Sequence, residues 1–496
     1  MVSLLQRPIL IGGLGLATGA WLLGSLDPGL MHSSTAVLGT LGLGAGLWWL
    51  KLRSQPADRP LLPFTPVDRT AVEKALAEVE SQIERLALEL QADSVDATPA
   101  PVLRLRQQLA ALSAELGRKD VRLAIMGGRS VGKTALTQLL QARADTGSPV
   151  PIQKALSIQK TEPPQPEGDR SPSVTAEVEN ADLVLFLTAG DLTDSELQIL
   201  KQLIAKNHRL LLLFNKQDQY LPADRPVILQ QIRDRMATLL AAEDVIATTA
   251  HPAPVKVRQH QPDGTFSEHF EQPAPDVAVL QQRMQAIFTH ESQTIIFATL
   301  KRQAQALNAA VQSELNQVLR QRALPVIEQY QWIAGAAAFA NPVASLDLLS
   351  TATINAQLVV DLGAIYQQKF SLEQAKTVMG NLASQMVKLG LVEIASQAIA
   401  PLLKSNALTY VAGGTLQGFS AAYLTRIAGL SLVEYFEEQS LNPAGESSLK
   451  LDRLVQKVKA VFEANQRSEV LRSWVKQGIS RLAPESSGSS TPSVVG

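Results

Sequence analysis

The chain of 496 residues predicts an α/β protein. Its centre is a doubly wound, mostly parallel sheet flanked by helical segments, with an N-terminal transmembrane hairpin before it and an all-α bundle after it. Three observations predict this. Short apolar runs at 121–126, about 155–160, 182–189, 209–214 and 244–249 alternate with stretches of helical periodicity, as buried parallel strands joined by helices do. The first run, VRLAIM, leads straight into Gly127–Thr134, GGRSVGKT. Two runs near the N-terminus and a broad region near the C-terminus hold almost no charge.

Gly127–Thr134 has the spelling G-x-x-x-x-G-K-[ST] of a phosphate-binding loop between a strand and a helix. Gly127 and Gly132 allow the tight turn, and the backbone N–H groups of Gly128, Arg129, Ser130 and Val131 then converge on one anion. Lys133 adds a point charge at the β- and γ-phosphates, and the Thr134 hydroxyl is placed for Mg²⁺. The following helix, through ALTQLLQAR, aims its positive end at the phosphates.

The apolar run RLLLLF at 209–214 ends in Asn215-Lys216-Gln217-Asp218. This N-K-x-D resembles the guanine-specificity motif of translation-factor-like GTPases. The resemblance implies that Asp218 accepts hydrogen bonds from the N1–H and N2 amino groups of guanine, which adenine cannot supply. It also implies that Asn215 buttresses the loop and that the Lys216 stem covers the base. VIATTA, ending in Thr249-Ala250, is similar to the [ST]-A element that backs the guanine in such domains. The implied ligands are GTP or GDP with Mg²⁺.

Small G proteins also carry D-x-x-G for Mg²⁺ and the γ-phosphate, and a switch threonine. Between Arg143 and Asp182 there is no D-x-x-G. Glu162 or Asp169 as the substitute acid and Thr146 or Thr161 as the switch threonine are the alternatives to reading all four as ordinary loop residues, and nothing is placed to orient an attacking water, so the catalytic residues are unassigned. Arg129 reads as solvated, with a cis-acting arginine as the alternative. Asp191 and Asp194 suit a helix start, with Asp194 as N-cap.

Pro8–Leu26 and Thr35–Leu50 are apolar and uncharged. Arg7 precedes them, Lys51, Arg53 and Arg59 follow, and the connection carries only Asp27. The positive-inside rule makes this a hairpin with both ends cytoplasmic. A cleaved signal peptide is the competing reading, and the second apolar run argues against it. There are no cysteines, hence no disulfide framework and no Cys-based metal site. Lys and Arg number 45 against 46 Asp and Glu, which argues against general nucleic-acid binding.

The organisation expected is a hairpin at 1–54, a proline-rich linker at 55–68 and a heptad-patterned helical hairpin at 69–118 packed on the sheet domain. The sheet domain follows at 119–275, ending in a β-hairpin turned at Pro262-Asp263-Gly264. A long helix at 276–330 is broken by Pro325. A small-residue helical domain, expected to touch the membrane or oligomerise with a purely soluble bundle as the alternative, occupies 331–440, further helices 441–483, and a disordered tail 484–496. Asn341-Pro342-Val343, the Leu-Asp-Leu-Leu after it and the closing Thr425–Phe436 resemble the C-terminal domain of unknown function in a bacterial membrane-associated P-loop GTPase family with an Era- or dynamin-like G domain. The resemblance implies a membrane-anchored GTP-binding switch, slow or partner-dependent in hydrolysis. The expected partners are the lipid bilayer and an unidentified protein effector, with homo-oligomerisation left open. A non-hydrolysing scaffold or transport-accessory protein is the alternative.

Overall fold

A computed structural model of the chain describes residues 64–91, 99–145, 157–160, 176–260, 266–340, 344–404, 415–441, 450–466 and 468–482. The predicted N-terminal hairpin, the C-terminal tail, Asn341-Pro342-Val343, the turn at Pro262-Asp263-Gly264 and the loop residues Thr146, Thr161, Glu162 and Asp169 lie outside the described residues.

Five parallel strands form one sheet in the order β2-β1-β3-β4-β5: β1 Arg122–Gly127, β2 Ser157–Lys160, β3 Leu183–Thr188, β4 Arg209–Phe214 and β5 Val245–Ala247. The apolar runs become central strands because a parallel sheet is covered on both faces. Alternation along each strand divides the side chains between two cores. Leu123, Ile125, Leu183, Leu185, Leu211 and Leu213 face one, while Ala124, Met126, Val184, Phe186, Leu212 and Phe214 face the other. The second face is closed by α5 (Asp194–Ala205) and α6 (Asp224–Met236) through Ile199, Leu203, Ile232 and Met236. The first face merges with the apolar interior of the helical regions, so sheet and helices share one continuous core. Helices α3 (Lys133–Asp145) and α4 (Ala176–Glu179) complete the crossovers among the described residues, and β6 (Val255–His260) pairs antiparallel with β7 (Phe266–Glu271) as a separate hairpin.

Helices α1 (Arg69–Gln91) and α2 (Ala100–Ala114) form the heptad-patterned pair. Their main seat is α8 (Ser292–Ala340) rather than the sheet. Val72, Leu76, Val79, Ile83 and Leu86 of α1 are all buried.

The long helix departs from expectation. The break falls at Glu291, between α7 (Ala278–His290) and α8, and α8 runs on through Pro325 for 49 residues. A proline inside a helix costs roughly 3 kcal/mol. Here it sits on the exposed side, so the carbonyl that loses its partner faces water, while Ala323 and Ile327 on either side are buried. Packing along α12 (Thr415–Leu441) outweighs the lost hydrogen bond. Gly429 of α12 permits that approach, because a Cβ there would lie 2.9 Å from Ile327 Cγ1.

Around α8 pack α9 (Ala344–Ile365), α10 (Leu372–Lys388), α11 (Leu391–Lys404), α12, α13 (Leu451–Asn465) and α14 (Ser468–Leu482). Trp332 stacks on Trp474, centroids 5.4 Å apart, and both meet Phe419 edge-on. Asp361 accepts from Tyr330 Oη at 2.6 Å and from Gln357 at 2.9 Å. Arg426 is largely desolvated, which lowers its pKa. Among the described residues no single helix is long and apolar enough to cross a membrane; α10 and α11, with a 70° bend between them, reach that length and apolarity only taken together.

At the N-terminal edge of the sheet, α8 is tied down by Arg302. Its guanidinium donates to Ala181 O at 2.8 Å and to Asn207 O at 3.1 Å.

Candidate functional site: the loops at the C-terminal edge of the sheet

Gly127–Thr134 turns from β1 into α3 as the spelling requires. Gly127 and Gly132 have φ of 148° and 98°, and Ser130 between them has φ of 58°. Only glycine fits the outer two positions: a Cβ at Gly127 would collide with Leu187 O of β3, and one at Gly132 with Asn215 Nδ2. Alternation of left- and right-handed residues turns successive N–H groups to one side, a concavity that attracts anions. Lys133, 5% exposed, arches back over the loop and donates to Gly127 O at 2.8 Å and Gly128 O at 2.7 Å. Those bonds hold the ammonium at the mouth of the concavity. Thr134 is the second residue of α3 and is exposed, as is Arg129.

Asn215 joins three loops. Its Nδ2 donates to Val131 O at 2.7 Å, inside the candidate phosphate loop. Its Oδ1 accepts from Ala250 N at 3.0 Å and from Thr248 Oγ1 at 3.2 Å, after β5. Asn215 is 1% exposed, so these bonds are shielded from competing water. One carboxamide thus fixes the phosphate loop against the two loops expected to hold a base.

Lys216 adopts the left-handed conformation, φ 62°, which starts the short turn at Gln217–Gln219. That turn presents Asp218, whose Oδ2 accepts from Ala253 N at 3.0 Å. Its Oδ1 is buried and has no partner among the described residues. A buried carboxylate oxygen without a donor is costly unless something completes it. Gln217 Nε2 donates to Asp276 Oδ2 at 3.0 Å, and Asp276 pairs through its backbone with Thr249.

The structure therefore gathers Gly127–Thr134 with Asn215 and Ala250, and sets Asp218 on the adjoining turn. Thr249 engages through its backbone toward Asp276, whereas Thr248 supplies the hydroxyl that touches Asn215. Sequence reasoning missed Thr248, Gln217 and Asp276. The run of threonines in VIATTA gave no register, and Asp276 lies beyond a hairpin. The N-cap of α5 is Thr193, not Asp194. Thr193 Oγ1 accepts from Glu196 N, and the Glu196 carboxylate accepts from Thr193 N, so the reciprocal pair satisfies two helix-end donors where Asp194 would satisfy one. Asp194 instead pairs with Arg235 at 3.1 Å. Among the described residues no group of three His, Asp or Glu is arranged to hold a metal ion.

Residues 302–464 match the model of a domain of unknown function (DUF697). No curated protein matches the chain. The match begins at Arg302, covers the rest of α8 and all of α9–α12, and ends within α13. The sheet domain lies outside it.

Proposed function

We propose that this chain is a membrane-anchored GTP-binding protein and a slow or partner-dependent GTPase that acts as a switch. The observation that carries the reading is the Asn215 junction, with a carboxylate oxygen of Asp218 left without a donor beside it. A guanine edge offers two N–H donors. Asp218 Oδ1 would accept one, and Oδ2, which keeps a second lone pair beside its bond from Ala253 N, would accept the other. Lys133, the N–H groups of the loop and the start of α3 would hold the phosphates, with Mg²⁺ at the Thr134 hydroxyl. Domains of the DUF697 type accompany GTPase-like proteins, which agrees with this order of parts.

The bilayer part of the reading rests on the uncharged runs Pro8–Leu26 and Thr35–Leu50. The bent apolar pair α10–α11, with Val387, Leu389 and Ile394 exposed at its corner, adds a second surface suited to lipid. The sequence supplies no D-x-x-G, which points to hydrolysis that a partner must complete.

The test is Mg²⁺-dependent binding of fluorescent GTP and ATP analogues to the detergent-solubilised full chain, beside Lys133→Ala. Binding that prefers GTP and falls about 100-fold or more in the variant is expected. Equal affinity for both nucleotides removes the guanine reading, and no binding to either leaves the scaffold alternative.

A further inference from the structure

A cavity of about 520 Å³ lies where α1, α8 and the C-terminal end of α12 meet. Ligand sites typically fall between about 300 and 1,000 Å³. No residue of the candidate nucleotide site lines it. Seven of its fifteen lining residues are Asn or Gln, an unusual wall for a helix junction, which normally closes with apolar side chains.

Four polar atoms of that wall are buried without a hydrogen-bond partner among the described residues: Gln82 Oε1, Arg85 Nε, Asn308 Oδ1 and Gln312 Oε1. Buried polar atoms are normally paired, and leaving one unpaired costs roughly 1–3 kcal/mol. Gln312 is the decisive one. It is 9% exposed, and its Nε2 donates to Ser440 O at 3.4 Å. A carbonyl can only accept, so this bond fixes which end of the amide is nitrogen and leaves Oε1 as the free acceptor. Asn316, one turn on, has both ends occupied, by Glu437 O at 3.4 Å and Ser440 Oγ at 3.1 Å. The unpaired atoms are thus not satisfied by exchange with their neighbours.

The wall states what it would accept. Carboxamides carry a donor and an acceptor side by side, the complement of neighbouring hydroxyls. Arg85 forms no ion pair among the described residues and turns a guanidinium N–H inward, which suits an anionic group on its side of the cavity, while the Glu78 carboxylate on the same wall can accept from a hydroxyl. Tyr366 and Phe436, centroids 5.4 Å apart, line the same cavity and give an apolar surface for the C–H face of a ring.

We propose that this cavity binds a polyhydroxylated ring, a sugar or an inositol, that carries one anionic substituent. Such a group has two sources, a soluble sugar phosphate or the headgroup of a membrane lipid. The ligand would touch α1, α8 and α12 together. Binding therefore fastens the N-terminal helical pair to the DUF697-like helices and stabilises their junction by mass action. The proposal does not depend on the nucleotide reading.

The test is calorimetric titration and thermal unfolding of the full chain in detergent with glucose 6-phosphate, inositol 1-phosphate, glucose and inorganic phosphate. A parallel arm uses flotation with vesicles of phosphatidylcholine alone and of phosphatidylcholine with phosphatidylinositol, with inositol 1-phosphate as competitor. A phosphorylated ring is expected to bind and raise the melting temperature, with glucose at least about tenfold weaker. Arg85→Met and Gln312→Leu should each weaken binding about tenfold, and Lys133→Ala should leave it unchanged. Headgroup-dependent flotation that inositol 1-phosphate displaces identifies the lipid source; binding of the free phosphates alone identifies the soluble one. Hydrogen exchange on the unaltered chain needs no variant, and the bound ring should protect residues 78–85 and 308–316. The proposal is overturned if no ring phosphate binds, if inorganic phosphate binds as tightly, or if protection falls elsewhere.

Discussion

The two edges of the sheet are built from different materials. At the C-terminal edge the loops are joined by hydrogen bonds without ion pairs: backbone groups, the Asn215 carboxamide and a threonine hydroxyl, with the Asp218 and Asp276 carboxylates accepting from neutral N–H groups. At the N-terminal edge the strands are joined by charges. Arg118 makes a bidentate pair with Asp182 at 2.6 and 2.9 Å, and Arg209 does the same with Asp244 while also reaching Glu291 at 2.8 Å. Arg283 adds a second cation to Asp244. The charged edge anchors α7 and α8, while Arg302 Nε and both ring nitrogens of His208 are buried there without a hydrogen bond among the described residues. The C-terminal edge keeps the glycine-turned loop and a carboxylate oxygen, Asp218 Oδ1, that has no partner among the described residues. One edge thus carries the ion pairs that tie neighbouring helices to the sheet, and the other is the edge at which open α/β sheets generally bind their ligands.

The largest expected effect tests the charged edge. Arg209→Ala leaves Asp244, 6% exposed, dependent on Arg283 alone, and leaves Glu291, 31% exposed, without its partner. Removing one member of a buried ion pair costs about 3–5 kcal/mol. Denaturant titration should show a loss of that size, and a loss under about 1 kcal/mol would mean the edge is held by packing instead.

The next effect depends on pH. His208 is 2% exposed, and burial, reinforced by the nearby charges of Arg302 and Lys206 against that of Glu179, lowers its pKa from 6.5 to about 4. Glu179, at 3.7 Å, is an electrostatic neighbour too far for a hydrogen bond. Above about pH 6.5 the ring is neutral in both folded and unfolded chains and contributes nothing. Below it the unfolded chain takes up a proton that the folded chain refuses until about pH 4. Stability is lost across that window, by about 3 kcal/mol at most from this group. Glu179, held below the usual carboxylate range by the nearby His208 ring and by the Lys206 ammonium that donates to it, extends the loss below about 4.5. Unfolding free energies measured between about pH 7 and 4 should fall in the unaltered chain and flatten in His208→Phe.

At the C-terminal edge the expected change is in preference. Asp218→Asn replaces one acceptor oxygen by an amide donor. Such a donor faces the guanine N–H groups unfavourably and suits the C2 carbonyl of xanthine. A swing of at least about tenfold from guanine to xanthine nucleotide is expected in competition binding. An unchanged order would remove Asp218 from the base site. The smallest effect concerns α5: Thr193→Ala should cost about 1 kcal/mol by loss of the cap, while Asp194→Ala should cost less than half of that. Equal losses would restore Asp194 as the cap.

Much of this was legible in the sequence, and unevenly so. The strands were plain because a run such as LVLFLT or RLLLLF cannot be exposed on either face. The phosphate loop was plain because its glycines sit where backbone geometry admits no side chain. Pro325 misled, since local propensity argues for a break and only the partner helix reveals what the unbroken helix gains. Asp194 misled because two adjacent residues can both cap, and the choice rests on a return bond from Glu196. The carboxamide cavity was invisible: Gln82, Asn308, Gln312 and Ser440 come from three helices far apart in the chain, and none belongs to a motif.

Helix α8 has a mechanical consequence. Arg302 pins it to the sheet through two backbone carbonyls, and the helix continues for 38 residues to Ala340. At about 1.5 Å per residue that is an arm of about 57 Å. A tilt of about 5° at the pivot sweeps the far end through about 5 Å, the height of a full helical turn. Changes of loop shape too small to notice at the sheet would arrive among the small-residue helices as a displacement large enough to change which side chains touch.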